Sequence, residues 1–444
     1  MKKTMALGVA ALLCSTASAE SLQVLSCVGG VPGVDAEEPQ LMGLAISPNG
    51  QYVCGVIEKG LGVFAADRIT GDVKWNVTLD GDRDGDQLRA IDDNGLAVGY
   101  LEDGVLYSFD KNTFTNLTPP KGYKYCIGED ITPDGKLILG SLVGDGFLTE
   151  AAYSPDGVQW SMLPMPTKEQ FNDITDASKG SSAKAVSVDG KVILGHIGSF
   201  EVPIVWVRNE AGVYEPDFFM ARYVKVTTDD LNDPSKPLLS LSGFYKYLSG
   251  NGRYVATMGL LPTDDPEQPR SVPVVYDTQE KSIRIYDEPQ EIDEYELSLY
   301  PLAISDDGTF VGTVGAPSYG SSGSFIMPAG QTQAQLFRDT FPEFGKLLGE
   351  ADTEGFNNPA DITPDGRYIL GYIYYCEDFW DPNADAYYET YIIDRGDGSA
   401  VGEMSVQPGS KTIYSVDGRS LREMSKGINI VRNADGSVSK ILKK

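Results

Sequence analysis

The sequence predicts an all-β chain, a seven-bladed β-propeller followed by a short C-terminal β segment. Three observations point there. A strand–turn–strand motif recurs seven times, and its turn glycines (Gly50, Gly95, Gly135, Gly190, Gly252, Gly308 and Gly366) lie 40 to 62 residues apart, near the length of one blade. A further strand pattern follows each copy, giving three to four strands per unit. Helical periodicity is almost absent between them.

Each copy reads as strand, tight turn, strand. Pro48, Pro133 and Pro364 pre-set φ for the first central turn position, the adjacent Asn or Asp bonds local backbone, and the glycine takes positive φ. The apolar residue four before each glycine (Ile46, Ile91, Ile131, Val186, Leu248, Ile304, Ile362) anchors the first strand. After the turn, Tyr52/Cys54 and Leu137/Leu139 alternate with Val53 and Ile138, so both faces of the second strand are apolar, as packing of blade on blade requires. The third strand is carried by segments such as Gly62 to Ala66 and Tyr388 to Asp394.

Two copies, at Gly95 and Gly308, reach their next glycine one residue early. A one-residue slip reverses strand faces, so a local bulge or shifted pairing is expected there. The fifth copy carries Thr257 where the others have glycine. Ser21 to Cys27, an apolar segment ahead of the first copy, is expected to close the ring by completing the seventh sheet.

The chain is expected to divide into a signal peptide (1–19), the propeller (20–405) and a β tail (409–444). Lys2 and Lys3, the apolar run Met5 to Cys14 and the small residues Ala17-Ser18-Ala19 have the three parts of a secretory signal. No later stretch is apolar for long enough to span a bilayer. The net charge of −28 becomes −30 once Lys2 and Lys3 are removed, which disfavours nucleic acid and anionic lipid as partners. An exported, soluble monomer is expected, outside the cell or on its outer surface, or in the periplasm if the tail does not act in export. Four cysteines remain (Cys27, Cys54, Cys126, Cys376), without a CxxC pair that would suggest zinc. Their pairing stays open.

The repeats resemble two families. The PDG-type turns are similar to TolB-like, WD40-like propeller repeats, and the wording A-I-S-x-D-G-x-x-V-G resembles the extracellular repeats called the HAF family. This resemblance covers about residues 40 to 400 and implies an architecture rather than an activity. From Lys411, the segment with Tyr414, Asp417-Gly418-Arg419, Lys426 to Val431 and the basic end Lys440 to Lys444 resembles the last part of a type IX secretion sorting domain, which implies secretion or surface anchoring.

Catalytic signatures are few. The single histidine, His196, follows the second glycine of the fourth copy without a GxSxG or HExxH context, and reads as structural. Ser154 to Trp160 falls one residue short of a sialidase Asp box. The acidic run Asp80-Gly81-Asp82-Arg83-Asp84-Gly85-Asp86 starts like a calcium loop, so Asp80, Asp82, Asp84 and Asp86 are candidate calcium ligands, with a solvated acidic loop as the alternative. The candidate binding segment is the aromatic and acidic stretch of the seventh copy: Asp378, Phe379, Trp380, Asp381, Tyr387 and Tyr388. Rings and carboxylates so mixed suit a glycan or a protein ligand, or else pack between the last and first blades. The expected function is non-catalytic binding of glycan or protein, with an extracellular glycoside hydrolase or lyase as the alternative.

Overall fold

In a computed structural model of the chain, residues 21–25, 41–57, 62–77, 86–165, 180–198, 202–220, 238–240, 247–261, 270–288, 291–292, 295–296, 298–316, 319–345, 356–376, 386–396, 412–415, 420–421, 427–432 and 438–443 are described. They form seven four-stranded antiparallel sheets in a ring. The first strands of blades 1 to 7 are Leu41–Ile46, Gln87–Ile91, Tyr125–Ile131, Ser181–Val186, Leu238–Ser240, Ser298–Ile304 and Phe356–Ile362. Seven apolar clusters hold the ring, one at each blade–blade interface. The strand alternation read from sequence builds them. Val53 joins the cluster shared by blades 7 and 1, and its neighbour Cys54 joins the one shared by blades 1 and 2.

The ring closes as expected. Strand Ser21–Leu25 is the fourth strand of blade 7, pairing Ser21 with Asp394 and Leu25 with Thr390. Closure by a strand from the other end of the chain covers the edge of Ala386–Asp394. Thr390 adds a buried stitch to blade 1: its Oγ1 accepts from the Gly43 amide at 2.8 Å and donates to the Leu41 carbonyl at 2.7 Å.

The one-residue deficit at Gly95 and Gly308 is resolved otherwise than the sequence suggests. In five blades the turn bond spans five residues, as from the Ser47 amide to the Tyr52 carbonyl. In blades 2 and 6 it spans four, Asp92 to Leu96 and Ser305 to Thr309. The turn itself is shorter, and the strands keep their faces. Bulges are present as well, but in the first strands of blades 1, 2, 3, 4, 6 and 7, at Leu44, Arg89, Glu129, Lys184, Leu302 and Ala360. Opposite each bulge sits the second glycine of the copy. A Cβ at Gly55, Gly99, Gly195 or Gly312 would run into the backbone carbonyl two residues before the bulge. Blade 5 has Thr257 there, and its equivalent of the bulge position, Lys246, lies outside the described residues.

The turns interlock around the ring. The Asn49 amide donates to Asp93 Oδ1 at 2.8 Å, and the Asp93 amide donates to the Pro133 carbonyl at 3.1 Å. Blades 5, 6 and 7 repeat this through Asn251, Asp306 and Pro364, at 2.6 and 2.8 Å.

Antiparallel order fixes the polarity of the ring. Within each blade the first–second and third–fourth turns lie at one end. The second–third loops and blade-to-blade connections lie at the other, called here the loop end. A second unit, Ser399–Lys444, forms its own four-stranded sheet from Thr412–Ser415, Ser420–Leu421, Gly427–Arg432 and Val438–Lys443. Among the described residues no helix is long and apolar enough to cross a membrane.

Candidate functional site

The first strands converge on the ring axis. At the turn end, residues from six blades, including Pro48, Pro133, Pro364 and Val188, enclose a cavity of about 50 Å³, room for a few waters. Asp130 and Asp361 line it and are nearly fully buried. Each takes the place held by alanine in four other copies. Asp130 accepts from the Ile131 amide and the Val186 amide of blade 4, both at 2.9 Å. Asp361 accepts from the Ile362 amide at 2.9 Å and the Ile46 amide of blade 1 at 3.1 Å. These carboxylates act as staples between blades.

One step toward the loop end, the bulges bring together a charged cluster. Arg89, Glu129 and Lys184 occupy the same bulge position in blades 2, 3 and 4. Glu129 Oε2 accepts from Arg89 at 2.6 Å and Oε1 from Lys184 at 3.2 Å. Ser141 donates to Glu129 at 3.2 Å and lies 2.8 Å from Ser182 across the blade 3–4 interface. Burial alone would raise the Glu129 carboxyl, but Arg89 and Lys184 hold it below its ordinary range. His196 pairs with Ser182 across the strands. Burial, reinforced by Lys184 and opposed by Glu129, pushes His196 down to about 4, so the imidazole is neutral near pH 7. Its Nδ1 is buried without a hydrogen-bond partner. An ionised carboxylate clamped by two cations is unsuited to proton donation. The wall is polar on blades 2 to 4 and apolar where Leu44, Leu302 and Ala360 stand.

The sequence offered a signal for this cluster. Arg89, Glu129 and Lys184 each stand six residues before a turn glycine, where the first, sixth and seventh copies have Leu or Ala and the fifth has Lys246. Only the bulge, invisible in a period-two pattern, shows that the three meet.

Of the residues singled out from sequence, Asp80, Asp82, Asp84, Asp378, Phe379, Trp380, Asp381 and Cys27 lie outside the described residues. The strand ends flanking them, Val77 and Cys376/Ala386, are all at the loop end, as is Asp86. Asp86 is buried, and its Oδ1 accepts from the Glu102 amide at 3.3 Å. Tyr387 and Tyr388 prove to be strand residues, because the third strand of blade 7 begins at Ala386 and pairs them with Tyr375 and Tyr374. The Tyr388 ring lies 4.8 Å from that of Tyr374 and 5.9 Å from that of Tyr372. Asp156, in the Asp-box-like segment, accepts from the Val158 and Gln159 amides and serves its own turn. Cys54 and Cys126 are buried, and burial pushes the Cys126 thiol up to about 12.

No protein-family model matches the chain, and no curated protein matches it in sequence. Solved structures do. Hydrazine synthase from Kuenenia stuttgartiensis is 13% identical over 81% of this chain and 98% of that one, with a TM-score of 0.44. TolB from Acinetobacter baumannii is 16% identical over 69% and 65%, with a TM-score of 0.36. The GH74 xyloglucanase from Xanthomonas campestris is 10% identical over 93% and 59%, with a TM-score of 0.44. None of these likenesses bears on chemistry.

Proposed function

We propose that the chain is an exported propeller that binds a glycan or a protein at its loop end without altering it chemically. The observation that supports this is the asymmetry of the ring. One end is finished by short turns bonded to one another, while every longer connection leaves from the other. Long connections on a rigid ring are where such folds carry recognition. The segment from Asp378 to Tyr388 is the proposed contact region, and Asp80, Asp82, Asp84 and Asp86 the proposed calcium ligands. The N-terminal segment reads as an export signal, and residues 409–444 as a type IX sorting tail on a ring of HAF-type, TolB-like repeats.

A glycan-array screen combined with hydrolysis assays on the hits tests the binding function. Expected is retention of at least one glycan or extracellular protein without turnover. Turnover of any hit overturns the reading in favour of a glycoside hydrolase or lyase. Trp380→Ala is expected to abolish binding with little change in melting temperature. A loss of about 3–5 kcal/mol would instead make Trp380 a core residue. Chelation is expected to lower the melting temperature of the wild type but not of Asp82→Ala; no shift in the wild type would remove calcium from the proposal.

A further inference from the structure

We infer that Tyr372, Tyr374 and Tyr388 of blade 7 form a stacking platform for a neutral polysaccharide, an inference that rests on the binding function above. The second and third strands of this blade, Tyr368–Cys376 and Ala386–Asp394, are nine residues each, against six in the corresponding strands of blade 1. Their side chains divide by alternation. Ile369, Ile373, Tyr391 and Ile393 enter the core shared with blade 6, whereas Tyr368, Leu370 and Ile392 enter the core shared with blade 1. Tyr372 and Tyr374 continue the blade 1 side, and register places Tyr388 beside Tyr374 there.

That side changes character at Thr390. Thr390 is fully buried and bonds Leu41, the first residue of the first strand of blade 1. Tyr372 is paired with Thr390, and Tyr374 and Tyr388 lie one step further toward the loop end; all three are partly buried. On the blade 6 side of the same strands, Tyr391 is completely buried, with its ring 4.7 Å from Phe344. The Tyr388 ring contacts both others, tilted by 44° at 4.8 Å to Tyr374 and by 59° at 5.9 Å to Tyr372, so the three rings form one aromatic cluster. Such rings offer an apolar face with a polar tip, which suits the C–H face and hydroxyls of a sugar.

Charge narrows the class. Residues 20–398 hold 60 Asp and Glu against 26 Lys and Arg, so the ring repels uronate, sialate and sulfate polymers. A neutral hexose-based chain meets the rings without that penalty.

Affinity electrophoresis of the full chain in gels containing dextran, galactomannan, xyloglucan or alginate tests the platform. Expected is retardation by at least one neutral polymer and none by alginate, with Tyr374→Ala and Tyr388→Ala roughly tenfold weaker, the scale of losing one stacked ring. Unchanged retardation in both variants overturns the platform. So does a loss of retardation that only parallels a fall in melting temperature, or retardation by alginate. Binding of a protein or of another glycan, with no neutral polymer retained, overturns the platform and leaves the binding function standing. An empty array and an empty gel series remove both.

Discussion

Glu129 shows how one side chain can hold three blades in register. It is buried, and the two cations it accepts from come from the blades on either side. Removing one member of such a cluster leaves buried charge uncompensated, so Glu129→Ala is expected to cost about 3–5 kcal/mol in urea denaturation, and Glu129→Gln less. His196 adds a pH dependence of definite sign. Unfolded, it titrates near 6.5; folded, near 4. Between those values the unfolded chain holds the extra proton, so stability falls as pH drops from about 6.5 toward 4. His196→Gln is expected to flatten that part of the urea midpoint–pH curve. An unchanged slope would place the imidazole in contact with solvent. Arg89, Glu129 and Lys184 are legible in sequence as charged residues at one repeat position. Their meeting is not, because it depends on bulges that no side-chain pattern encodes.

At the scale of the strand pair, bulge and glycine are one device. The carbonyl two residues before the bulge lies against the opposite glycine, and only a residue without Cβ leaves it room. Gly312→Ala would drive Cβ into the Tyr300 carbonyl and is expected to cost about 1–3 kcal/mol. Gly323→Ala, with no neighbour closer than 3.8 Å, is expected to be tolerated. Comparable melting curves for the two variants would refute the coupling. The turn chemistry was readable from the Pro, Asn or Asp, and Gly positions, and all seven turn glycines have φ between +67° and +89°. The preceding Ser or Thr escaped notice, although it pins the turn. Ser47 Oγ donates to Asn49 and accepts from the Gln51 and Tyr52 amides, and Ser187 does the same in blade 4. The shorter turns of blades 2 and 6 also escaped, because a missing residue can be absorbed in strand or turn and the count alone does not say which.

Across the ring, stability rests on seven interfaces, of which the one between blades 7 and 1 includes the N-terminal strand Ser21–Leu25. Leu25 is buried in that interface. Deleting residues 20–25 is expected to cost at least the about 2–5 kcal/mol of one core leucine and to expose the edge of Ala386–Asp394 to proteolysis. A deletion variant with wild-type melting and protease resistance would mean that the ring holds without its closing strand. Closure was legible because an apolar segment stood outside the repeat count; the proposed platform was legible only in part, since Tyr388 stood in the candidate segment but its place beside Tyr374 depends on strand register. The interlocked turns carry a last implication. Asn49, Asp93 and Pro133 recur as Asn251, Asp306 and Pro364, with the shortened turn in the middle blade and the stapling aspartates, Asp130 and Asp361, in the third. Blades 1–3 and 5–7 thus carry one three-blade pattern twice, with blade 4 between them, a pseudo-repeat of triplets inside the sevenfold ring.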